Sequence, residues 1–143
     1  MEAEPTEGVA LAMGGTRGQG RPMRITLIRP NMNSDRSTDA MEPLVFAILA
    51  ALTPDDVDLT LIDERLEPIP YDQPADLVAI TVETYNARHS YQIAKRFRQR
   101  GVPVVMGGYH PTFLPQEALQ YADAVAIGDA ENLWGQIVQD TRD

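Results

Sequence analysis

The chain has 143 residues, 43% of them hydrophobic, a formal net charge of −9 and no cysteine. That length suits one domain with a moderate core, and the acidic balance disfavours phosphate backbones and anionic membrane surfaces as partners. Without thiols the chain can hold by itself neither a thiolate-ligated iron–sulfur cluster nor a zinc–thiolate site.

Residues 1–22 are rich in Gly, Glu and Ala, lack periodicity and read as a disordered tail. Met13 and Met23 leave later starts open. The beginning is acidic where a secretory signal is basic, and Val9 to Met13 is too short for its apolar core. No stretch approaches the roughly 20 apolar residues that cross a bilayer. The expectation is a cytoplasmic protein with no nucleic-acid and no membrane partner.

A single domain is expected over residues 23–143. Ile25 to Ile28 predicts a strand that ends at Arg29-Pro30. Pro43 can open a helix in which Leu44, Val45, Ile48, Leu49 and Leu52 share a face, closed by Thr53-Pro54-Asp55-Asp56. Val57 to Ile62 predicts the second strand, and residues 64–75, with three prolines, an irregular crossover. Leu77 to Val82 is the third strand.

Ser90, Ile93, Ala94 and Phe97 then follow helical spacing. Lys95, Arg96, Arg98 and Arg100 complement the end of that helix, and Gly101 stops it. A fourth strand (Val102 to Met106), a short helix near Pro115 and a fifth strand (Ala124 to Ile127) follow. The last helix has Leu133, Trp134, Ile137 and Val138 on its apolar face. Short apolar strands alternating with helices predict an α/β fold. It is flavodoxin-like (Rossmann-like): a five-stranded parallel sheet in the order 2-1-3-4-5, with helices on both faces.

Ligands of such sheets lie outside the carboxyl ends of the strands, which selects four loops. The first runs from Pro30 and Asn31 to Ser37, and the second holds Thr81, Val82, Glu83 and Thr84. The third is Gly107, Gly108, Tyr109, His110, Pro111 and Thr112, and the fourth Gly128, Asp129, Ala130 and Glu131. Gly107-Gly108 fits either close backbone approach to a ligand or a tight exit from the strand. His110 suits a hydrogen-bonding loop residue better than a metal ligand. Thr81 and Thr84 can donate to amide carbonyls of a ligand, or end a strand and open a helix. Asp129 and Glu131 suit a capping role at the start of the last helix. The first loop has no glycine cradle, which excludes a nucleotide P-loop.

In order and spacing these pieces resemble the N-terminal cobalamin-binding domain of the cobalamin-dependent radical S-adenosylmethionine protein family. The pieces are Arg29-Pro30-Asn31, Asp63-Glu64, Asp76 to Thr84, Gly107 to Thr112, Leu114 to Ala118, and Ala122 to Val125 leading into Gly128 to Glu131. The resemblance runs from about Met23 to the C-terminus. It implies a cobalamin whose corrin lies over the strand ends and whose nucleotide tail runs down beside the sheet. Gly107, Gly108 and the Gly128 loop would line the tail and the corrin edge, and the loops at Pro30 and Thr81 would face the cobalt.

Pro30 to Arg36 contains no histidine, so the resemblance implies cobalt held by the corrin without a protein ligand. Asp129 stands where the family usually has glutamate. The family's radical chemistry needs three cysteines in a following domain, and this chain has none. The expectation is therefore a non-catalytic carrier with an iron–sulfur radical-SAM domain or protein in trans, one half of a split enzyme, or a truncated one.

Two other functions suit the fold. A phospho-receiver needs an acidic cluster after the first strand and an aspartate ending the third, where Arg29-Pro30 and Thr81-Val82 stand instead. A flavin carrier would have to grip phosphate with the Asn33-to-Thr38 loop, which lacks glycine and an adjacent aromatic.

Overall fold

A computed structural model of the chain describes residues 8–11, 21–32 and 44–143. Six strands form one sheet: β1 (Gly8–Leu11), β2 (Met23–Arg29), β3 (Val57–Asp63), β4 (Leu77–Thr81), β5 (Val104–Gly107) and β6 (Ala124–Ile127). Their order is β1-β6-β5-β4-β2-β3. The five from β2 onward are all parallel and realise the 2-1-3-4-5 order. The helices are α1 (Leu44–Leu52), α2 (Ala87–Gln99), α3 (Tyr109–Phe113), α4 (Pro115–Ala118) and α5 (Ala130–Arg142). A 3₁₀ turn over Thr84–Asn86 leads into α2.

Side chains alternate across each strand, so the sheet carries two cores. On one face Ile28, Ile62, Val78, Ile80, Val104, Met106 and Val125 pack under α2, which contributes Ile93, Ala94 and Phe97. Each such burial is worth about 1.5–3 kcal/mol. On the other face Ile25, Leu27, Leu77, Ala79, Val105, Ala124 and Ala126 meet Phe46 and Leu49 of α1 and Trp134, Ile137 and Val138 of α5.

The segment from Glu64 to Asp76 stays irregular, as its prolines require. It is pinned by Ile69, which is buried, and by Tyr71, whose ring lies 5.0 Å from that of Phe97 with the Arg96 guanidinium 3.5 Å from its centre.

Four expectations change. Gly8–Leu11, within the stretch read as disordered, is a strand running antiparallel to β6, whose backbone would otherwise be a free sheet edge; residues 1–7 and 12–20 lie outside the described residues. On α1, Leu44 is 70% and Leu52 47% exposed, and Phe46, not counted on the apolar face, is buried. That helix faces a cavity as well as the sheet. Tyr109–Phe113, read as loop, forms one helical turn. Val102 and Val82 fall just outside their strands. Pro43, and the part of the first loop from residue 33 on, also lie outside the described residues.

Candidate functional site

A cavity of about 530 Å³ opens at the carboxyl ends of the strands and runs down between the sheet and the pair α1 and α5. Its floor is one face of the sheet, where Leu27, Ala79, Val105 and Ala126 are followed toward the rim by Thr81, Gly107 and Gly128. The middle of that floor is made of small residues, which leaves width beneath the strand ends. A Cβ added at Gly107 would meet only the Ala126 side chain, at 3.7 Å, so the glycine holds space open rather than relieving a clash.

The walls are Leu44, Val45, Ile48 and Leu49 of α1 and Ala130, Trp134 and Ile137 of α5. The Trp134 indole, 1% exposed, donates its Nε1–H to Thr53 Oγ1 at 2.9 Å, and Thr53 donates in turn to the Leu49 carbonyl. The polar atom of the largest wall residue is thus satisfied on the helix side, and the lower cavity is apolar. Around the rim stand Thr81, Glu83, Tyr109, Thr112, Asp129 and Glu131.

Local chemistry sets these positions. Gly108 has φ of +114°, and a Cβ there would lie 2.5 Å from the Val82 carbonyl oxygen. The turn after β5 therefore presses against the exit of β4. Val82 N–H donates to the Gly107 carbonyl (2.8 Å), and His110 N–H donates to the Val82 carbonyl (3.3 Å). Thr112 ties the two glycine loops together: its hydroxyl donates to the Gly108 carbonyl (2.8 Å) and accepts from Gly128 N–H (3.2 Å). Glu83 opens the 3₁₀ turn reciprocally with Asn86, whose Oδ1 accepts from Glu83 N–H at 2.8 Å. Burial pushes the Glu83 carboxyl above the usual range, a rise partly offset by the Tyr109 backbone N–H and the charge of Arg29.

The candidates divide accordingly. Thr81, Glu83, Gly107, Gly108, Tyr109, Thr112, Gly128, Asp129, Ala130 and Glu131 line the cavity, whereas Pro30, Asn31, Val82, Thr84, His110 and Pro111 do not. His110 is turned toward α2 and α4, with Nε2 2.6 Å from Glu117 Oε2 and Nδ1 3.3 Å from Thr84 Oγ1. Asn31 is buried, and its N–H donates to Glu64 Oε1, which His89 Nε2 also contacts at 2.8 Å. Pro30 offers its carbonyl to Asn86 Nδ2. Asp129 occupies the cap position of α5 and Glu131 its first turn, where their charges favour the positive helix end as expected, although Asp129 makes no side-chain cap bond. Among the described residues no group of three or more His, Cys, Asp and Glu could hold a metal ion, and no helix is long and apolar enough to cross a membrane.

The loops of the site were legible because glycine punctuates the strand ends. The walls on α1 and α5 were not, since their residues share a face with Leu27 and Ala79 only after the sheet has formed. The flat aromatic base of a nucleotide tail can lie along the Ala79–Gly107–Ala126 floor between those walls, while the rim offers carboxylates and hydroxyls to a polar, amide-bearing head. The donor set therefore fits a corrinoid.

A model of the B12 binding domain matches residues 37–138. The chain is 38% identical over 110 residues to bacteriochlorophyllide d C-8(2)-methyltransferase of Chlorobaculum tepidum, covering 76% of this chain and 24% of that protein. It is 34% identical over 119 residues to bacteriochlorophyllide d C-12(1)-methyltransferase of the same organism, covering 80% and 26%. An uncharacterised methyltransferase of Pyrococcus horikoshii is 31% identical over 109 residues, 67% of this chain and 24% of that protein. The chain thus spans about a quarter of the length of these relatives. No solved structure matches it. With its parallel sheet, its cavity at the strand ends and the match over most of its length, the chain belongs to the B12-binding domain family, and its cofactor is cobalamin.

Proposed function

We propose that this domain carries cobalamin for a methyl-transferring enzyme, is inert alone, and works with a radical S-adenosylmethionine domain or protein that supplies an iron–sulfur cluster. The observation that carries the binding mode is the cavity itself, kept wide by Ala79, Gly107 and Ala126 and walled by α1 and α5. Relatives named as methyltransferases support the catalytic setting, and the absence of cysteine from this chain supports a cluster supplied from outside it.

When bound, cobalamin supplies a cobalt centre that accepts and gives up a methyl group. The chain's own residues do the rest. Leu27, Leu49, Val105, Trp134 and Ile137 shed water from the base of the nucleotide tail. Thr81, Glu83, Thr112, Asp129 and Glu131 orient amide groups at the rim, and the positive φ of Gly108 and Gly128 shapes the two loops. Tyr85, Tyr109, Phe113 and Leu114, between 49% and 75% exposed after β4 and β5, form an apolar collar that the partner domain would cover. A flavin-binding or signalling role finds no comparable support.

The test uses Gly107→Leu, which places a side chain into the cavity from a residue free of positive φ. Wild-type chain titrated with hydroxocobalamin should shift the corrin absorption and retain the corrinoid through gel filtration. The variant should unfold as cooperatively as wild type yet bind at least about tenfold more weakly. Equal affinity in a folded variant would move the tail elsewhere, and a wild-type chain that ignores the corrinoid would defeat the proposal.

A further inference from the structure

His110 lies outside the cavity but in a chain of hydrogen bonds that ends at Thr84, the residue after the lining residue Glu83. It is 8% exposed, and both ring nitrogens have partners: Nε2 is 2.6 Å from Glu117 Oε2, and Nδ1 is 3.3 Å from Thr84 Oγ1. Tyr91 donates its hydroxyl to the same Glu117 oxygen at 2.8 Å, with its ring stacked 4.1 Å from that of Tyr121. Thr84 stands exposed beyond the carboxyl end of β4, one residue after Glu83 of the rim.

With His110 neutral, the donors and acceptors along this chain follow from chemistry. An ionised carboxylate only accepts, so the Nε2 facing Glu117 must carry a hydrogen. In a neutral imidazole Nδ1 is then a bare acceptor, and the one partner able to donate to it is the Thr84 hydroxyl. A hydroxyl that has given its proton inward presents only lone pairs outward. The hydrogen bonds from His110 and then Tyr91 hold the Glu117 carboxyl below the usual range, which keeps it ionised.

We infer that His110, neutral and oriented by Glu117, fixes the Thr84 hydroxyl as a hydrogen-bond acceptor beside the rim residue Glu83, where it reads an N–H donor of the ligand. This rests on the cobalamin reading, in which the donor is a primary amide on the corrin edge. It reverses the expectation that Thr84 donates to an amide carbonyl. His110 is a positioning residue, acting through Thr84 and never touching the ligand.

Two measurements on the full chain test this. Long-range nitrogen–proton NMR of the ¹⁵N-labelled, ligand-free protein should find His110 neutral with its hydrogen on Nε2; a hydrogen on Nδ1 overturns the assignment. Equilibrium dialysis with hydroxocobalamin should show Thr84→Ser within about twofold of wild type and Thr84→Val weaker by about tenfold. His110→Gln should weaken binding in the wild-type background and add nothing in the Thr84→Val background. Additive losses would mean that His110 acts through the fold alone, and unchanged affinity in Thr84→Val would remove the contact; either result overturns the inference. A wild-type protein with the Nε2 hydrogen but no affinity for hydroxocobalamin would instead overturn the cofactor reading, and the amide contact with it.

Discussion

At Gly108 an added Cβ would stand 2.5 Å from the Val82 carbonyl oxygen and 3.1 Å from its nitrogen, with φ at +114°. At Gly107 the same atom would find ordinary contact at 3.7 Å. The two neighbours therefore respond oppositely to alanine. Gly108→Ala should cost roughly 3 kcal/mol, since both the backbone region and the space are closed to a side chain. Gly107→Ala should stay within about 0.5 kcal/mol of wild type in urea unfolding. If Gly108→Ala were equally harmless, the turn against β4 would not have the tightness described. Close approach at Gly108 is thus to the protein's own backbone, and the space for ligand is at Gly107. Glu83 gives a second residue-level expectation. Burial, outweighing the Tyr109 backbone N–H and nearby positive charge, raises its folded-state value above the ordinary 4.5. The folded chain then holds a proton that the unfolded chain releases, so stability from this residue falls as pH rises through that window. Glu83→Gln keeps the acceptor that opens the 3₁₀ turn and removes the charge. It should be more stable than wild type above the window and no different below it, a crossover that unfolding at several pH values would display. A constant difference at all pH would assign the effect to shape.

Among the elements, the exits of β2 and β3 are joined by ions rather than by apolar packing. Arg29 and Asp63 are register partners, and Asp63, its side chain 9% exposed, accepts from Arg65 at 2.7 Å and lies 3.8 Å from the Arg29 guanidinium. Burial pushes the Asp63 carboxyl up, but the Arg65 bonds and the Arg29 charge prevail and hold it below the usual range. Its contribution is present above the unfolded value and is lost as pH falls through the folded one. Asp63→Asn should therefore cost about 2 kcal/mol at neutral pH, by replacing the charge-assisted bonds from Arg65 and the attraction of Arg29 with weaker neutral ones, and progressively less in acid. Urea unfolding at both extremes checks this. Asp63-Glu64 was visible in the sequence only as the end of a strand. Its role in joining loops depends on Arg29, Asn31 and His89, which the topology brings together. The strands and α2 were legible because their apolar spacing is local: Ser90, Ile93, Ala94 and Phe97 are all buried as the period requires. On α1 the same reasoning marked Leu44 as core, since period alone cannot separate a face against a sheet from a face against a cavity. The helical turn α3 escaped because tertiary contact holds it, through Val82 and the positive φ of Gly108. Loop membership found Gly107 and Thr112, but it could not tell that His110 and Pro111, from the same loop, point away.

For the whole molecule, the question is which chemistry this domain performs and which must come from elsewhere. It covers 24% and 26% of the two Chlorobaculum methyltransferases, so most of the length of those enzymes has no counterpart in it. Its own resources are a cavity, hydrogen-bonding groups at the rim and an acidic surface. None of these delivers a single electron to a sulfonium. Reductive cleavage of S-adenosylmethionine draws that electron from an iron–sulfur cluster, normally held by cysteine thiolates, and this chain contains none. Under the proposed reading, anaerobic chain loaded with hydroxocobalamin and given dithionite and S-adenosylmethionine should release no 5′-deoxyadenosine above a protein-free blank. Adding a cluster-bearing radical-SAM domain should start product formation, because a second domain both supplies the electron and closes the corrin face against water. Closure needs surface to act on, and the collar of Tyr85, Tyr109, Phe113 and Leu114 is where such a domain would rest. A variant with Tyr85 and Leu114, which do not line the cavity, both changed to serine should then still bind the corrinoid with at most a modest loss, while the partner's stimulation falls sharply. Catalytic 5′-deoxyadenosine from the isolated chain would end the carrier proposal. Stimulation undiminished in the double-serine variant would leave the carrier intact and move the docking face.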